Sequence, residues 1–98
     1  MIPHWNWVMV DAQQRTSHYG PGFTAREDAI GDTGKLIEQL RASVVGSEAL
    51  ADAWLAGQAK DDTVFIGPFI FGLYQYDGTA KDRQVEAELW VVDLQGRS

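Results

Sequence analysis

Ninety-eight residues with fourteen Asp/Glu, eight Lys/Arg and no cysteine give a net charge of −6 and read as a single domain over residues 1–98. A chain of this length buries roughly two thirds of its unfolded surface, enough for a core without metal or disulfide staples. The missing cysteines exclude a disulfide framework, a thiolate zinc site, a cysteine nucleophile and thiol redox chemistry, and the acidic excess argues against direct nucleic-acid binding, where phosphates are met by Lys and Arg.

The amino-terminal residues Met1 to Trp7 show no basic segment followed by an apolar one, so no secretory signal is expected. Trp5 to Val10 then reads as a strand, rich in aromatic and β-branched residues. Trp5, Trp7 and Met9 share one face, and His4, Asn6, Val8 and Val10 share the other. Asp11 to Gln14 forms a turn, Arg15 to Tyr19 a short return strand, and Gly20-Pro21-Gly22 stops it.

Thr24-Ala25-Arg26-Glu27 has the T-x-x-E form of a capping box, which predicts a helix start at that point. Ile30, Ile37, Leu40 and Val44 lie near one stripe of this helix. Gly31 and Gly34 inside it predict close packing on a bulky sheet, and Gly46 reads as the glycine that ends it. Ser47 is placed to cap a second helix with Leu50, Ala53, Trp54 and Gly57 on one side.

The run Val64 to Tyr76, VFIGPFIFGLYQY, is too short and too interrupted for a membrane helix, which needs about 20 apolar residues. Pro68 cannot donate to a central ladder, so the run is expected to be an edge strand bulged at Gly67-Pro68 or two short strands meeting at a bend. Asp77-Gly78 is a tight-turn pair. Gln84 to Leu94 alternates and reads as a last strand, with Val85, Ala87, Leu89 and Val91 on one face and Glu86, Glu88, Trp90, Val92 and Leu94 on the other. The expected fold class is α+β: a two-layer domain of ββααββ order, with a four-stranded antiparallel sheet carrying two helices on one face.

The segments WNWVMVDAQQRT and GFTAREDAI, within residues 5–40, resemble the ββα unit of YegP-like small α+β modules, with Gln13-Gln14 where that family's turn has Asn-Gly. The resemblance implies a fold class. It brings no catalytic residue with it.

Chemistry has few places to sit. His4 and His18 face opposite ways if the hairpin turns at Ala12-Gln13, and a shifted register leaves them roughly 13 Å apart along the strands, so no metal site is expected. Serines 17, 43, 47 and 98 lie in no G-x-S-x-G elbow, and Ser17 and His18, being adjacent on a strand, point apart. Glu86 and Glu88 are about 6–7 Å apart on one strand face, but nothing separates their environments as acid–base work requires. The expectation is a non-enzymatic protein without cofactor, cytoplasmic and not membrane-bound.

A binding role is the positive expectation. With helices on one face only, Phe69, Phe71, Tyr74, Tyr76, Trp90 and Val92 would concentrate apolar surface in the last two strands, rimmed by Glu86 and Glu88. An apolar centre with a charged rim is how a protein interface is built. The partner would be another protein or a second copy of the chain. The competing reading is that other parts of the chain fold over this face and complete an ordinary core. A second functional expectation is inhibition by nucleic-acid mimicry, as practised by small acidic proteins of phages and mobile elements against CRISPR complexes and nucleases. Glu27, Asp28, Asp32, Glu38, Glu48, Asp52, Asp61 and Asp62 would supply that acidic surface.

Overall fold

Strands β1 (His4–Asp11) and β2 (Thr16–Tyr19) form the first hairpin, with Asp11 opposite Thr16. This computed structural model describes residues 4–97; Met1 to Pro3 and Ser98, which the amino-terminal and serine readings include, lie outside the described residues. Helix α1 (Arg26–Gln39) follows, then a 3-10 turn at Arg41–Ser43 and helix α2 (Glu48–Leu55). A second 3-10 turn at Lys60–Asp62 leads into β3 (Thr63–Ile66) and β4 (Phe69–Tyr76), and helix α3 (Ala80–Arg97) completes the described chain. The sheet is four-stranded and wholly antiparallel in the order β2-β1-β4-β3.

The α+β class and the antiparallel sheet stand; the ββααββ order and the two-layer arrangement do not. Gly67-Pro68 is not a bulge in one strand: two strands meet there, through a two-residue hairpin loop between Ile66 and Phe69. Gly67 has φ +59°, the left-handed conformation that the first position of a type II′ loop demands, and Pro68 follows with its ring-fixed negative φ. The site also refuses a side chain, since a Cβ on Gly67 would lie 2.6 Å from the Ser43 carbonyl oxygen. The apolar run therefore supplies two strands, the second of the two expected arrangements, and β4 becomes a central strand paired along its length with β1.

The predicted last strand is a helix. Residues 84–94 lie within α3, and its start carries a cap: the Thr79 hydroxyl accepts from the Asp82 N–H at 3.0 Å. By contrast Thr24 does not cap α1, which begins one residue later than the T-x-x-E reading requires, with Ala25 at the N-cap and no side-chain hydrogen bond. Ser47 stands at the N-cap of α2, but its hydroxyl accepts from Gly67 N–H at 3.2 Å and so ties the β3–β4 loop to that helix.

Both faces of the sheet are covered. On one side Trp7, Met9, Phe69, Phe71 and Leu73 pack with Ile30 and Ile37 of α1 and Ala51 and Trp54 of α2. On the other, Val8, Val10, Ile70, Tyr74 and Tyr76 pack with Ala87 and Leu94 of α3, flanked by Trp90 and Val91. Gly72, on β4, lets the Trp90 ring come down onto the strand: a Cβ there would be 3.0 Å from it. The near-continuous apolar character of β4 follows from burial on both faces.

Polar bonds lock the layers. Trp54 Nε1–H donates to Thr33 Oγ1 at 2.7 Å inside the first layer, and the Trp7 indole donates to Asp32 at 2.8 Å. On the α3 side buried Asn6 donates to the Gly20 carbonyl at 2.9 Å and to the Tyr74 oxygen at 2.8 Å, and the Tyr74 hydroxyl donates to the Arg83 carbonyl at 2.9 Å. Arg83 in turn reaches the Pro21 carbonyl. The chain entering α1 is thereby fastened to the first turn of α3. Gly31 and Gly34 were expected to press against the sheet, but Gly31 faces open space and Gly34 meets only Leu55 of α2 at an ordinary 3.5 Å. Leu50, expected inward on α2, is exposed, while Ala51 and Trp54 are the buried residues.

Candidate functional site on the outer side of the last helix

The residues expected to form an open aromatic sheet face do not form one. Phe69, Phe71, Tyr74 and Tyr76 are buried in the two cores, and Trp90 is partly buried against β4. The physical reason is that residues 84–94 form a helix and not the expected fourth strand: the helix crosses the sheet and covers the face that such a strand would have left open. Helical geometry also separates residues that strand geometry had grouped. At 100° per residue, Trp90 and Val92 are about 200° apart, so Trp90 points inward and Val92 outward.

That geometry builds a different surface. Val85, Leu89 and Val92 recur at i, i+4 and i+7 on the side of α3 opposite its core contacts, and they are 45%, 59% and 69% exposed. They fall within about 60° of helical arc. The inward side holds Arg83, Ala87, Trp90, Val91 and Leu94, so α3 is apolar on two opposite sides. Isolated exposed leucines or valines need no explanation. Three in register on one stripe, on a helix whose other side is already packed, form a patch.

Acidic groups border the stripe. Glu86 and Asp93 lie along one side and Glu88 along the other. Asp93 is paired with Arg97 at 2.9 Å, and Glu88 accepts from Gln84 at 3.3 Å. Glu86 has no such bond. Phe65, half exposed on edge strand β3, lies on the same side of the sheet as α3 because it pairs with Ile70.

The eight acidic residues expected to form a mimic surface divide into engaged and unengaged groups. Asp32 accepts from the Trp7 indole, Asp62 pairs with Arg26 at 2.6 Å, and Glu38 pairs with Arg41 at 2.9 Å. Glu48 accepts from the Gly46 N–H at 2.9 Å, and its bonds to its own and the Gly46 backbone N–H hold its carboxyl below the ordinary range. Glu27, Asp28, Asp52 and Asp61 are exposed and form no ion pair with another described residue. His4 and His18 fall on opposite faces of the sheet, since His4 is on the Val8 side and His18 pairs with Met9. Among the described residues no group of three or more His, Asp or Glu is placed to hold a metal ion, and no helix is long and apolar enough to cross a membrane.

In comparisons with protein-family models, curated proteins and solved structures, nothing matches this chain. The functional reading therefore rests on the geometry above. Val85-Glu86-Ala87-Glu88-Leu89 alternates at a period of 2, and that alternation hides the outer stripe of α3 in the sequence. The signal that could have found it was local: Thr79-Ala80-Lys81-Asp82 after the Asp77-Gly78 turn, an N-cap pattern ahead of an i, i+4, i+7 apolar set.

Proposed function

We propose that this chain is a small acidic, non-enzymatic protein-binding module that works through the outer side of α3. The observation that carries the reading is the exposed Val85–Leu89–Val92 stripe. This is the anchor spacing by which one helix seats in an apolar groove of another protein. The bordering Glu86, Glu88 and Asp93 define the complementary partner as an apolar groove or helix rimmed by Lys and Arg, because opposed like charges across an interface are costly. A second copy of the chain paired through this stripe would set Glu86 and Glu88 against acidic residues of its own kind, so a different protein is the better fit.

The test is a titration of the protein with a helical Lys/Leu amphipathic peptide and, in parallel, with its Glu/Leu counterpart, followed through backbone amide signals. The Lys/Leu peptide is expected to shift residues 85–93 saturably and to weaken as salt rises. Leu89→Ser should weaken binding about tenfold, a loss of about 1.4 kcal/mol, without lowering the melting temperature, since Leu89 contacts solvent. Equal response to both peptides, or binding that ignores Leu89→Ser, would count against the reading.

A further inference from the structure

A second candidate surface is a concavity away from α3. It opens under the first hairpin, where α1 covers β1 but leaves β2 uncovered, so that Thr16 and His18 overhang on the helix side with both faces of β2 exposed. The space is about 630 Å³, within the range of small-molecule sites, roughly 300–1,000 Å³. Its floor is apolar: Met9 and Phe69 from the sheet, Leu36 and Leu40 from the end of α1.

Asp11 gives this cleft its chemistry. The residue is only 9% exposed, and it sits on the cleft side of β1, in line with Trp7 and Met9. One carboxylate oxygen, Oδ1, accepts from the Gln13 and Gln14 N–H groups at 3.0 and 3.1 Å, which fixes the carboxylate at the base of the loop. Oδ2 has no such bond. The ion pairs among the described residues are Arg26–Asp62, Arg41–Glu38 and Arg97–Asp93, so Asp11 forms no ion pair with a described residue. No Lys or Arg is among the described residues that line the cleft. Oδ2 keeps contact with solvent, and Asp11 borders both this cleft and a second concavity that holds Arg15, so its charge stands available at the base of the loop, beside the greasy floor.

We propose that this cleft binds an organic cation: a primary amine or guanidinium whose charged head meets Asp11 Oδ2 and whose apolar body lies over Met9, Leu36, Leu40 and Phe69. Fixing the carboxylate by two backbone N–H groups before the ligand arrives removes part of the ordering cost of binding. His18 stands over the rim and can donate to or accept from a polar substituent on the body. An anionic ligand would meet no Lys or Arg among the described lining residues and would face the Asp11 carboxylate. This site is independent of the α3 surface and lies on the opposite side of the sheet.

The experiment compares three probes of one shape by NMR titration of the full chain: phenethylamine, the neutral 2-phenylethanol, and the anionic phenylacetate. Phenethylamine should shift the Met9 methyl and Trp7 indole signals saturably and bind about tenfold more tightly than the alcohol, with phenylacetate weakest. Asp11→Asn keeps an Oδ1 acceptor for the Gln13 and Gln14 N–H groups but removes the charge; it should bring the amine down to the affinity of the alcohol. Leu40→Trp should fill the cleft from the helix end and abolish the shifts for all three probes, and it serves where Asp11→Asn fails to fold. The proposal is overturned if the three probes bind alike, if the shifts at millimolar amine fall outside the cleft or are absent, or if a folded Asp11→Asn binds the amine as the wild type does.

Discussion

Gly67 and Gly31 show how the same residue type can be indispensable or dispensable. Gly67 combines φ +59° with a would-be Cβ contact of 2.6 Å to backbone, which cannot yield as a side chain can. Gly67→Ala should therefore cost at least about 2 kcal/mol in urea unfolding. Gly31 is exposed, helical and open on the side a methyl would occupy, so Gly31→Ala should stabilise by about 0.5–1 kcal/mol in the same assay. Tyr74 makes a third case. Burial is the main reason its hydroxyl is pushed up to about 12, with the Asn6 hydrogen bond pulling the other way. An unfolded tyrosine loses its proton near about pH 10, so between pH 10 and about 12 the folded state holds a proton that the unfolded state has released. Stability contributed by this group is complete below pH 10 and declines as pH rises through that window. Tyr74→Phe should flatten the alkaline limb of the stability curve. At neutral pH it should cost about 1–3 kcal/mol, because Asn6 then loses a partner while its Oδ1 is already buried without one.

At the level of elements, the two threonine motifs make a direct comparison. Thr24 has the better-looking sequence pattern and no capping bond; Thr79 has the less noticed one and caps α3 at 3.0 Å. Thr79→Ala should lower stability by about 1 kcal/mol, and Thr24→Ala by less than about 0.5 kcal/mol, measured by denaturant titration of both variants. The loop Gly20-Pro21-Gly22-Phe23 explains why the helix start slips. Trp5 and Phe23 exchange backbone bonds at 2.7 and 2.8 Å, which carries the chain alongside the sheet before α1 can begin. A tertiary bond thus overrides a local cap. Helix α3 has the opposite history: its cap is local, and its two apolar sides serve different ends, one the core and one the surface.

For the whole molecule, the decisive fact is that helices cover both faces of an antiparallel sheet. Trp90 tests it. If it belonged to an open interface, its removal would leave stability untouched; lying on Gly72 beneath α3, Trp90→Ala should cost about 3 kcal/mol. Leu89→Ser, one residue away and on the outer side, should cost almost nothing. The contrast between these neighbours, read by thermal or urea unfolding, reports whether residues 84–94 are helical in solution. Closure of both faces also relocates function. Accessible apolar surface remains on the outer side of α3, on the overhang of β2 and on the short edge β3, none of which depends on an open sheet.

The sequence by itself determined the α+β class, the first hairpin with its face assignment, the two helices between the hairpins and the absence of any thiol chemistry, because those follow from composition and from periods that only one element type satisfies. Trp5 to Val10 alternates at a period of 2 and is a strand. Residues 84–94 satisfy periods of 2 and 3.6 almost equally, since a helix apolar on opposite sides has no single stripe to betray it. Only the tertiary structure could decide there, through Gly72 making room for Trp90 and through the Asn6–Tyr74–Arg83 bonds that pin the helix to the sheet. The candidate sites were out of reach for the same reason: surfaces are what is left over once packing has chosen its partners.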